Sequence, residues 1–271
     1  MKYSPKGKKY LKTNDRPWIR PVIQNYRVAS PKITHGFRIV HLSDLHCCCY
    51  GAHQKTLVTL IDGAAPDMVC MTGDMLEPRF SRTAARELFE ALAEKYPCYL
   101  VMGNHEYNYK NYPAARSFIQ SFGIHLLDAG HGEHQKIGGQ EIFICGIDDP
   151  MAPDRSFKRD LKHIAAKAAQ SGQFTLFLTH RPELAPIYAR LAFDLVLSGH
   201  AHGGQWRVPG LINGVFAPSQ GLFPKYAGGR YDLGGQVHIN SRGLAYYVPI
   251  PRLFNPVEFG VIDVVPYGEK N

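Results

Sequence analysis

The sequence lacks a long apolar run. No window of its 271 residues holds eighteen consecutive apolar residues, so we expect no membrane-spanning helix. The first residues also lack the apolar stretch and the small-residue cleavage site of a secretory signal. Hydrophobic residues make up 45% and charged residues 20% of the chain, which excludes a collagen-like, low-complexity or wholly disordered protein.

Cysteines are few, and their spacing fits neither a disulfide framework nor a zinc knuckle. Cys70, Cys98 and Cys145 stand in apolar runs, so we interpret them as small core residues. Cys47–Cys49 are consecutive and have no evident role. This usage is typical of a reducing compartment, and we predict a cytoplasmic protein.

Acidic residues are scarce at the start of the chain. Asp15 is the only one in residues 1–20, which contain seven basic residues and therefore six of the eight net positive charges. We predict a basic tail over residues 1–20 and a single, nearly neutral domain over 21–271. Such a tail could attract an anionic membrane surface or nucleic acid, or only aid solubility. The neutral body argues against nucleic acid as a partner, and leaves peripheral contact with the inner face of a membrane as a hypothesis.

Short β-prone runs alternate with helical stretches after residue 35, which predicts an α/β fold. Residues 17–35 are expected to be extended and edge-like, and residues 203–265 to form strands and loops of a second sheet packed against the first. The predicted strands are Phe37–Leu42, Asp67–Thr72, Cys98–Met102, Ile124–Leu127, Glu141–Ile147, Phe174–Thr179 and Asp194–Ser198. The predicted helices lie near 53–62, 82–95, 113–122, 154–171 and 182–191.

Five of these strands are followed directly by Asp, His or Asn. In open α/β sheets, ligands bind beyond the carboxyl ends of the strands, so we expect these side chains to form one site. In chain order they are Asp44 and His46, then Asp74, then Asn104 and His105, then His180, and finally His200 and His202.

The residue types in this set are those of a metal centre. Carboxylate oxygen with neutral imidazole nitrogen suits Mn, Fe or Zn better than Ca. If Asp44-x-His46 is extended, its two side chains point the same way, and His200-x-His202 repeats that geometry.

Seven protein ligands are too many for one ion of this kind, but they suit two divalent ions that share Asp74. Paired dications can activate water and clamp a phosphoryl group, and they require anionic ligands. His105 is then placed to donate a proton to the leaving oxygen.

The joint pattern of Asp-x-His, Gly-Asp, Gly-Asn-His-Glu, His and Gly-His-x-His, over about residues 37–265, resembles the calcineurin-like metallophosphoesterases. The residue sequences at 41–46 and 198–205 are similar to those of the YkuE/YaeI-type bacterial branch. The resemblance implies a four-layer α/β/β/α sandwich of two mixed sheets flanked by helices. It also implies one ion on Asp44, His46 and His202, a second on Asn104, His180 and His200, a bridging Asp74 and a proton donor at His105. Cys47–Cys49 depart from the usual polar or small residues.

We therefore predict a dinuclear phosphohydrolase that cleaves a phosphodiester or pyrophosphate bond, with manganese supporting activity in vitro. A related member hydrolyses UDP-diacylglucosamine, so the resemblance suggests a lipid-linked or nucleotide-sugar substrate. The alternatives are a nuclease, a protein phosphatase, or a metal-binding scaffold without activity. Arg242 could contact phosphate or be a surface arginine. Asp148 and Asp149 could orient a loop, but a solvated turn is the simpler interpretation. Five aromatic residues could line a pocket, although such residues more often fill a core; they are Trp206, Phe216, Phe223, Tyr226 and Tyr231.

Overall fold

The structure is a computed structural model that describes residues 2–3, 9–10, 19–153, 155–246 and 251–269. Most of the predicted basic tail, residues 1–20, lies outside the described residues. The division into a tail and one domain over 21–271 therefore stays a prediction.

Strands and helices alternate through the first two thirds of the described chain. The strands are β1 (Lys2–Tyr3), β2 (Lys9–Tyr10), β3 (Val22–Ser30), β4 (Phe37–Leu42), β5 (Met68–Met71), β6 (Cys98–Leu100), β7 (His125–Leu126), β8 (Gly132–Ile137), β9 (Gln140–Gly146), β10 (Phe174–Leu178), β11 (Leu195–Ser198), β12 (Phe216–Ala217), β13 (Gly221–Leu222), β14 (Gly229–Leu233), β15 (Gln236–Asn240) and β16 (Glu258–Pro266). The α-helices are α1 (Lys55–Ala64), α2 (Thr83–Ala93), α3 (Asn104–Tyr107), α4 (Tyr112–Gln120), α5 (Phe157–Ser171) and α6 (Ala185–Tyr188).

Two mixed sheets form the centre of the described fold. The first has the strand order β3-β16-β4-β5-β6-β7, in which β4 to β7 are parallel and β16 is antiparallel to β4. The second has the order β14-β15-β11-β10-β9-β8, in which β9, β10, β11 and β15 are parallel. Because parallel strands end on the same side, each sheet gathers its loops at one edge.

Alternating side chains divide the interior into three cores. In β4, Ile39 faces the core between the two sheets, while Val40 and Leu42 face the core beneath α1, α2 and α4. In β9, Ile144 faces the intersheet core, while Cys145 packs under α5 and α6. Successive side chains on a strand point to opposite faces, so strands covered on both faces are apolar throughout. The result is the α/β/β/α sandwich, which confirms the predicted fold class.

The predicted strands and helices are present with shifted boundaries, but two expectations are wrong. The last third does not make a sheet of its own, because β14 and β15 extend the second sheet while β16 inserts between β3 and β4 of the first. The predicted helix at 182–191 is a 3₁₀ turn at Pro182–Leu184 followed by the short α6. The sequence analysis also missed β8, whose side chains are largely exposed at a sheet edge.

A glycine marks a point of close approach between the two sheets. A Cβ atom on Gly146 would lie 2.5 Å from Val101 Cγ1 and 2.7 Å from Leu127 Cβ, both in the opposite sheet's half of the fold. We expect Gly146→Ala to lower the free energy of unfolding by about 1–3 kcal/mol, as overpacked cores do. Gly63→Ala is the control, because Gly63 lies in α1 with open space around it. That variant should gain about 0.5–1 kcal/mol. Urea unfolding measures both, and equal effects would contradict the packing argument.

Candidate metal centre

The predicted ligands lie in the segments that follow β4, β5, β6, β10 and β11, and Asn104 is the first residue of α3. The expected extended geometry of the Asp-x-His and His-x-His pairs is wrong. Asp44 and His46 have φ values of 52° and 46°, and His200 and His202 have values of 67° and 47°. Asp74 has a φ value of 54°. Left-handed backbone is uncommon in residues other than glycine and costs about 1–3 kcal/mol each in strained cases, and it concentrates at functional sites.

Backbone hydrogen bonds between loops hold this conformation. The amide of Asp44 donates to the Gly73 carbonyl at 3.0 Å, and the amide of His46 donates to the Asp74 carbonyl at 2.9 Å. Two glycines allow the loops to meet, since a Cβ on Gly103 would lie 2.3 Å from Asp74 Oδ1 and one on Gly199 would lie 2.5 Å from Asp44 Oδ2. A side chain at either glycine would displace a carboxylate of the site.

Asp74 lies at the centre of the cluster. Its Oδ2 is 3.3 Å from His180 Nε2, 3.7 Å from His46 Nε2 and 4.0 Å from His105 Nε2. Its Oδ1 accepts a hydrogen bond from the His105 amide at 2.8 Å. One carboxylate therefore faces three imidazole rings.

Asp44 is the second carboxylate that faces histidines. Its Oδ1 is 3.6 Å from His202 Nε2 and 3.9 Å from His46 Nε2. Its Oδ2 accepts from Ser43 Oγ at 2.6 Å, and the His200 amide donates to the same carboxylate at 3.1 Å. His46 lies between the two carboxylates and contacts both.

These side chains fit divalent cations. The side chains form three groups, and within each group the donor atoms lie within 4.8 Å of one another. The groups are Asp44 with His46 and His202, His46 with Asp74 and His105, and Asp74 with His180 and His200. The atoms His46 Nε2, His180 Nε2 and Asn104 Oδ1 are buried without a hydrogen-bond partner. The two histidine atoms face Asp74 at 3.7 and 3.3 Å. Buried polar atoms are nearly always paired, so such atoms beside a carboxylate are typical of a metal centre.

The protonation states also suit metal binding. Burial lowers the pKa of His200 to about 2 and holds that of His202 well below its usual range, so both are neutral donors. Burial alone would lower the pKa of His180, but the charge and hydrogen bond of Asp74, together with the charges of Asp44 and Asp149, outweigh it and raise the pKa to about 10. His180 Nδ1 donates to the Thr72 carbonyl at 2.6 Å, which leaves Nε2 to exchange its proton for a metal ion.

Glu77 was missed by the sequence analysis. Its Oε2 lies 3.0 Å from His105 Nδ1 and 3.5 Å from His46 Nδ1, and Arg79 Nε donates to its Oε1 at 2.9 Å. This carboxylate orients one predicted ligand and the predicted proton donor together. Its position three residues after Asp74 was the only available signal.

Glu106 was quoted in the Gly-Asn-His-Glu motif without a role. Its Oε2 accepts from the amides of Gly103 and Asp74 at 2.8 and 2.9 Å, and its Oε1 accepts from the Leu76 amide at 2.8 Å. The side chain thus caps the start of α3 and joins it to the loop after β5. Burial raises the pKa of Glu106 to about 7.

Arg181 brings a positive charge to the centre and was also missed, although it follows His180 directly. Its Nη1 lies 2.9 Å from His200 Nε2 and donates to Ser219 Oγ at 2.8 Å. Asp149 holds the guanidinium with two contacts of 2.5 and 3.0 Å. Asp149 is therefore a buried partner of this arginine, and the interpretation as a solvated turn is wrong.

Two other residues singled out in the sequence have structural roles beside the site. Arg242 is buried and bonds to Asn213 and Gly228, so it has a structural role rather than a phosphate contact. Burial raises the pKa of the Cys47 thiol to about 12, which opposes thiolate chemistry there. All six cysteines are free thiols.

The predicted aromatic pocket divides into two parts. Trp206 and Phe216 line an apolar pocket of about 220 Å³ that begins at Gly204, two residues after His202. Tyr226 is buried instead against Tyr231, at a ring-centroid distance of 5.0 Å.

Comparison with known proteins decides the family. The model of the calcineurin-like phosphoesterase family matches residues 37–204, which include every predicted ligand. The chain belongs to the calcineurin-like phosphoesterase family. Membership implies hydrolysis of phosphoesters with divalent metals.

Relatives share the family over most of this chain. It is 28% identical over 251 residues to an uncharacterized metallophosphoesterase of Campylobacter jejuni, covering 90% of this chain and 63% of that protein. It is 26% identical over 227 residues to metallophosphoesterase YkuE of Bacillus subtilis, covering 81% and 77%. A zebrafish transmembrane protein with a metallophosphoesterase domain is 30% identical over 186 residues, covering 65% of this chain and 42% of that one. The chain thus spans less than two thirds of the first and third relatives.

The crystal structure of TT1561 from Thermus thermophilus superposes with a TM-score of 0.51 and 13% identity, covering 78% of this chain and 91% of that one. At this identity the likeness shows the fold alone. Among the described residues, no helix has both the length and the apolar character to cross a membrane.

The central position of Asp74 generates a prediction about metal content. We expect Asp74→Asn to weaken Mn²⁺ binding by at least about 100-fold, because it removes the charge that faces three imidazoles. Dialysis against Mn²⁺ followed by elemental analysis measures the loss. Asp194→Asn is the matched control, since Asp194 pairs with Lys32 at the other end of β11. Equal metal content in both variants would contradict the ligand assignment.

Glu77 generates a prediction about pH dependence. Burial lowers the pKa of His105, but the hydrogen bond to Glu77 and the charge of Asp74 raise it to about 9. A raised pKa keeps the proton donor charged until the pH rises through that value, so Glu77→Gln should move the alkaline limb of kcat to lower pH. Bound dications lower the pKa in both enzymes, so the comparison is made at equal metal loading. Glu87→Gln, which frees the exposed His53, is the control. Superimposable profiles would show that Glu77 does not act on His105.

Proposed function

We propose that this chain hydrolyses a phosphodiester or pyrophosphate bond and that it requires two divalent ions. The observation that carries the proposal is the convergence of Asp44 and Asp74 on a set of histidines, two of which, His46 and His180, have a buried Nε2 atom without a hydrogen-bond partner. One ion would be held by Asp44, His46 and His202, the other by Asn104, His180 and His200, with Asp74 shared. Bound dications would supply Lewis-acid activation of water and would neutralise charge on the phosphoryl oxygens.

The protein's own residues provide the rest of the chemistry. His105 is 28% exposed at its side chain, so its ring can reach a substrate while Glu77 fixes its orientation. A protonated His105 would deliver a proton to the leaving oxygen. Arg181, which Asp149 holds in place, adds a fixed positive charge that suits an anionic phosphoryl group.

The apolar pocket at Trp206 and Phe216 supports a substrate with an apolar part, such as the lipid-linked or nucleotide-sugar compounds suggested by the resemblance. Manganese is the ion that we propose for activity in vitro, because carboxylate and imidazole donors suit it.

The choice of substrate tests the role of His105. We expect Mn²⁺-dependent hydrolysis of bis(4-nitrophenyl) phosphate. His105→Asn should lower kcat by about 10²–10⁴ on an alkyl phosphodiester, such as a glycerophosphodiester, and by less on the nitrophenyl ester. Nitrophenolate leaves without a proton, whereas an alkoxide needs one.

His131→Asn, at an exposed histidine, is the control for this experiment. Equal losses on the two esters would refute proton donation by His105. Bound metal with no turnover of phosphodiesters, nucleotide sugars or phosphopeptides would favour a non-catalytic scaffold, and nicking of plasmid DNA alone would favour a nuclease.

A further inference from the structure

Large apolar side chains are exposed on the loops beside the candidate metal centre. The most exposed are Leu211, Phe254, Leu222 and Phe223, at 82%, 74%, 69% and 66%. We call the whole set the apolar loop surface; its members are Trp206, Val208, Leu211, Phe216, Leu222, Phe223, Leu253 and Phe254. An exposed patch of this kind on a globular protein indicates a binding surface.

Backbone contacts join these side chains into one surface. Trp206 pairs with Leu253 in a β-bridge, and Phe216 pairs with Leu222 between β12 and β13. The Phe223 amide donates to the Val215 carbonyl at 2.8 Å, and the Val215 amide donates to the Trp206 carbonyl at 2.9 Å. The two segments, 206–223 and 253–254, are therefore joined to each other by their backbones.

This face adjoins the metal centre. Asn255 Nδ2 donates to the His202 carbonyl at 2.8 Å, and Arg252 Nη2 lies 3.5 Å from His202 Nδ1. One predicted ligand is thus held by residues on both sides of Leu253 and Phe254.

The basic segment 1–20 joins the fold at the same edge. Gly260, near the start of β16, pairs with His41, near the end of β4, so β16 begins where the ligand loops lie. β3 runs parallel to β16 and begins opposite it, with the Val22 amide donating to the Val257 carbonyl at 2.9 Å. The start of β3 therefore lies beside Val257, which is three residues after Phe254 in the sequence.

The two segments that carry the apolar loop surface contain basic but no acidic residues. Residues 203–231 and 251–257 contain no Asp or Glu, while they include Arg207, Lys225 and Arg252. Residues 1–20 add six net positive charges. Apolar side chains beside a cationic segment are the two signals that stable attachment to an anionic bilayer requires. A second copy of the chain is a poorer occupant, because a two-fold contact would set these cations against themselves.

We propose that the apolar loop surface is a docking face for an anionic phospholipid bilayer, with the net positive charge of residues 1–20 adding electrostatic attraction. Docking would hold the metal centre at the level of the lipid headgroups, because its loops share that edge. The proposal does not depend on the catalytic function, since binding is measured without turnover.

Co-sedimentation of the full chain with vesicles tests the docking face. We expect the chain to bind vesicles of equal phosphatidylglycerol and phosphatidylcholine at about 50 mM salt, and to bind pure phosphatidylcholine far less. Leu222→Ser/Phe223→Ser/Phe254→Ser should weaken binding by at least about tenfold. Tyr267→Ser is the matched control, because Tyr267 is 78% exposed just after β16, at the opposite edge. It should bind as the parent does.

A fluorescence measurement keeps the test independent of the triple variant's folding. The chain has two tryptophans, Trp18 and Trp206. In a Trp18→Phe background, emission from Trp206 should shift to the blue when anionic vesicles are added.

Three results would overturn the proposal. The first is no binding to anionic vesicles at low salt. The second is binding that the triple variant leaves unchanged, without a shift of Trp206, because the tail alone would then account for it. The third is a dimer in solution that the triple variant dissociates, which would assign the surface to a second copy of the chain.

Discussion

The arrangement of the candidate metal centre depends on two buried carboxylates. Asp44 and Asp74 are almost fully inaccessible to solvent, and each faces several imidazole rings. Buried charges are tolerated only when they are paired or bind a cation. Burial raises the pKa of Asp44. Burial also acts to raise the pKa of Asp74, but the charges of the three imidazoles and the hydrogen bond to His180 together outweigh it and hold that pKa well below its usual range. The left-handed loops position the two carboxylates, and Glu106 binds the backbone amide of Asp74. Glu77 contacts the histidines His46 and His105 that face Asp74.

Sequence patterns predicted the ligand set because parallel strands impose it. Apolar runs buried on both faces mark the strands, and the polar residue that follows each run must lie at the common edge. The same reasoning predicted that the chain is α/β and identified its family, which the comparisons bear out. The roles of the individual ligands remain predictions, although the structure brings their side chains together.

What the patterns missed depends on loop conformation. The side chains of Glu77 and Arg181 contact histidines of neighbouring loops. The periodicity of the sequence does not predict such contacts between loops. The left-handed backbone at Asp44 and His202 was misread as extended, because residue spacing alone does not specify φ. The placement of β16 was misread for another reason: a strand's partners depend on the whole topology rather than on its own composition.

The placement of β16 also has a consequence for biosynthesis. This strand, near the end of the chain, lies between β3 and β4, which were made more than two hundred residues earlier. Its register spans nine residues with β3, so the first sheet stays divided until residue 266 has left the ribosome. The loop after β4 carries Asp44, and its strand lacks the neighbour β16 until that point. Completion of the first sheet therefore depends on contacts between distant parts of the chain, which form slowly.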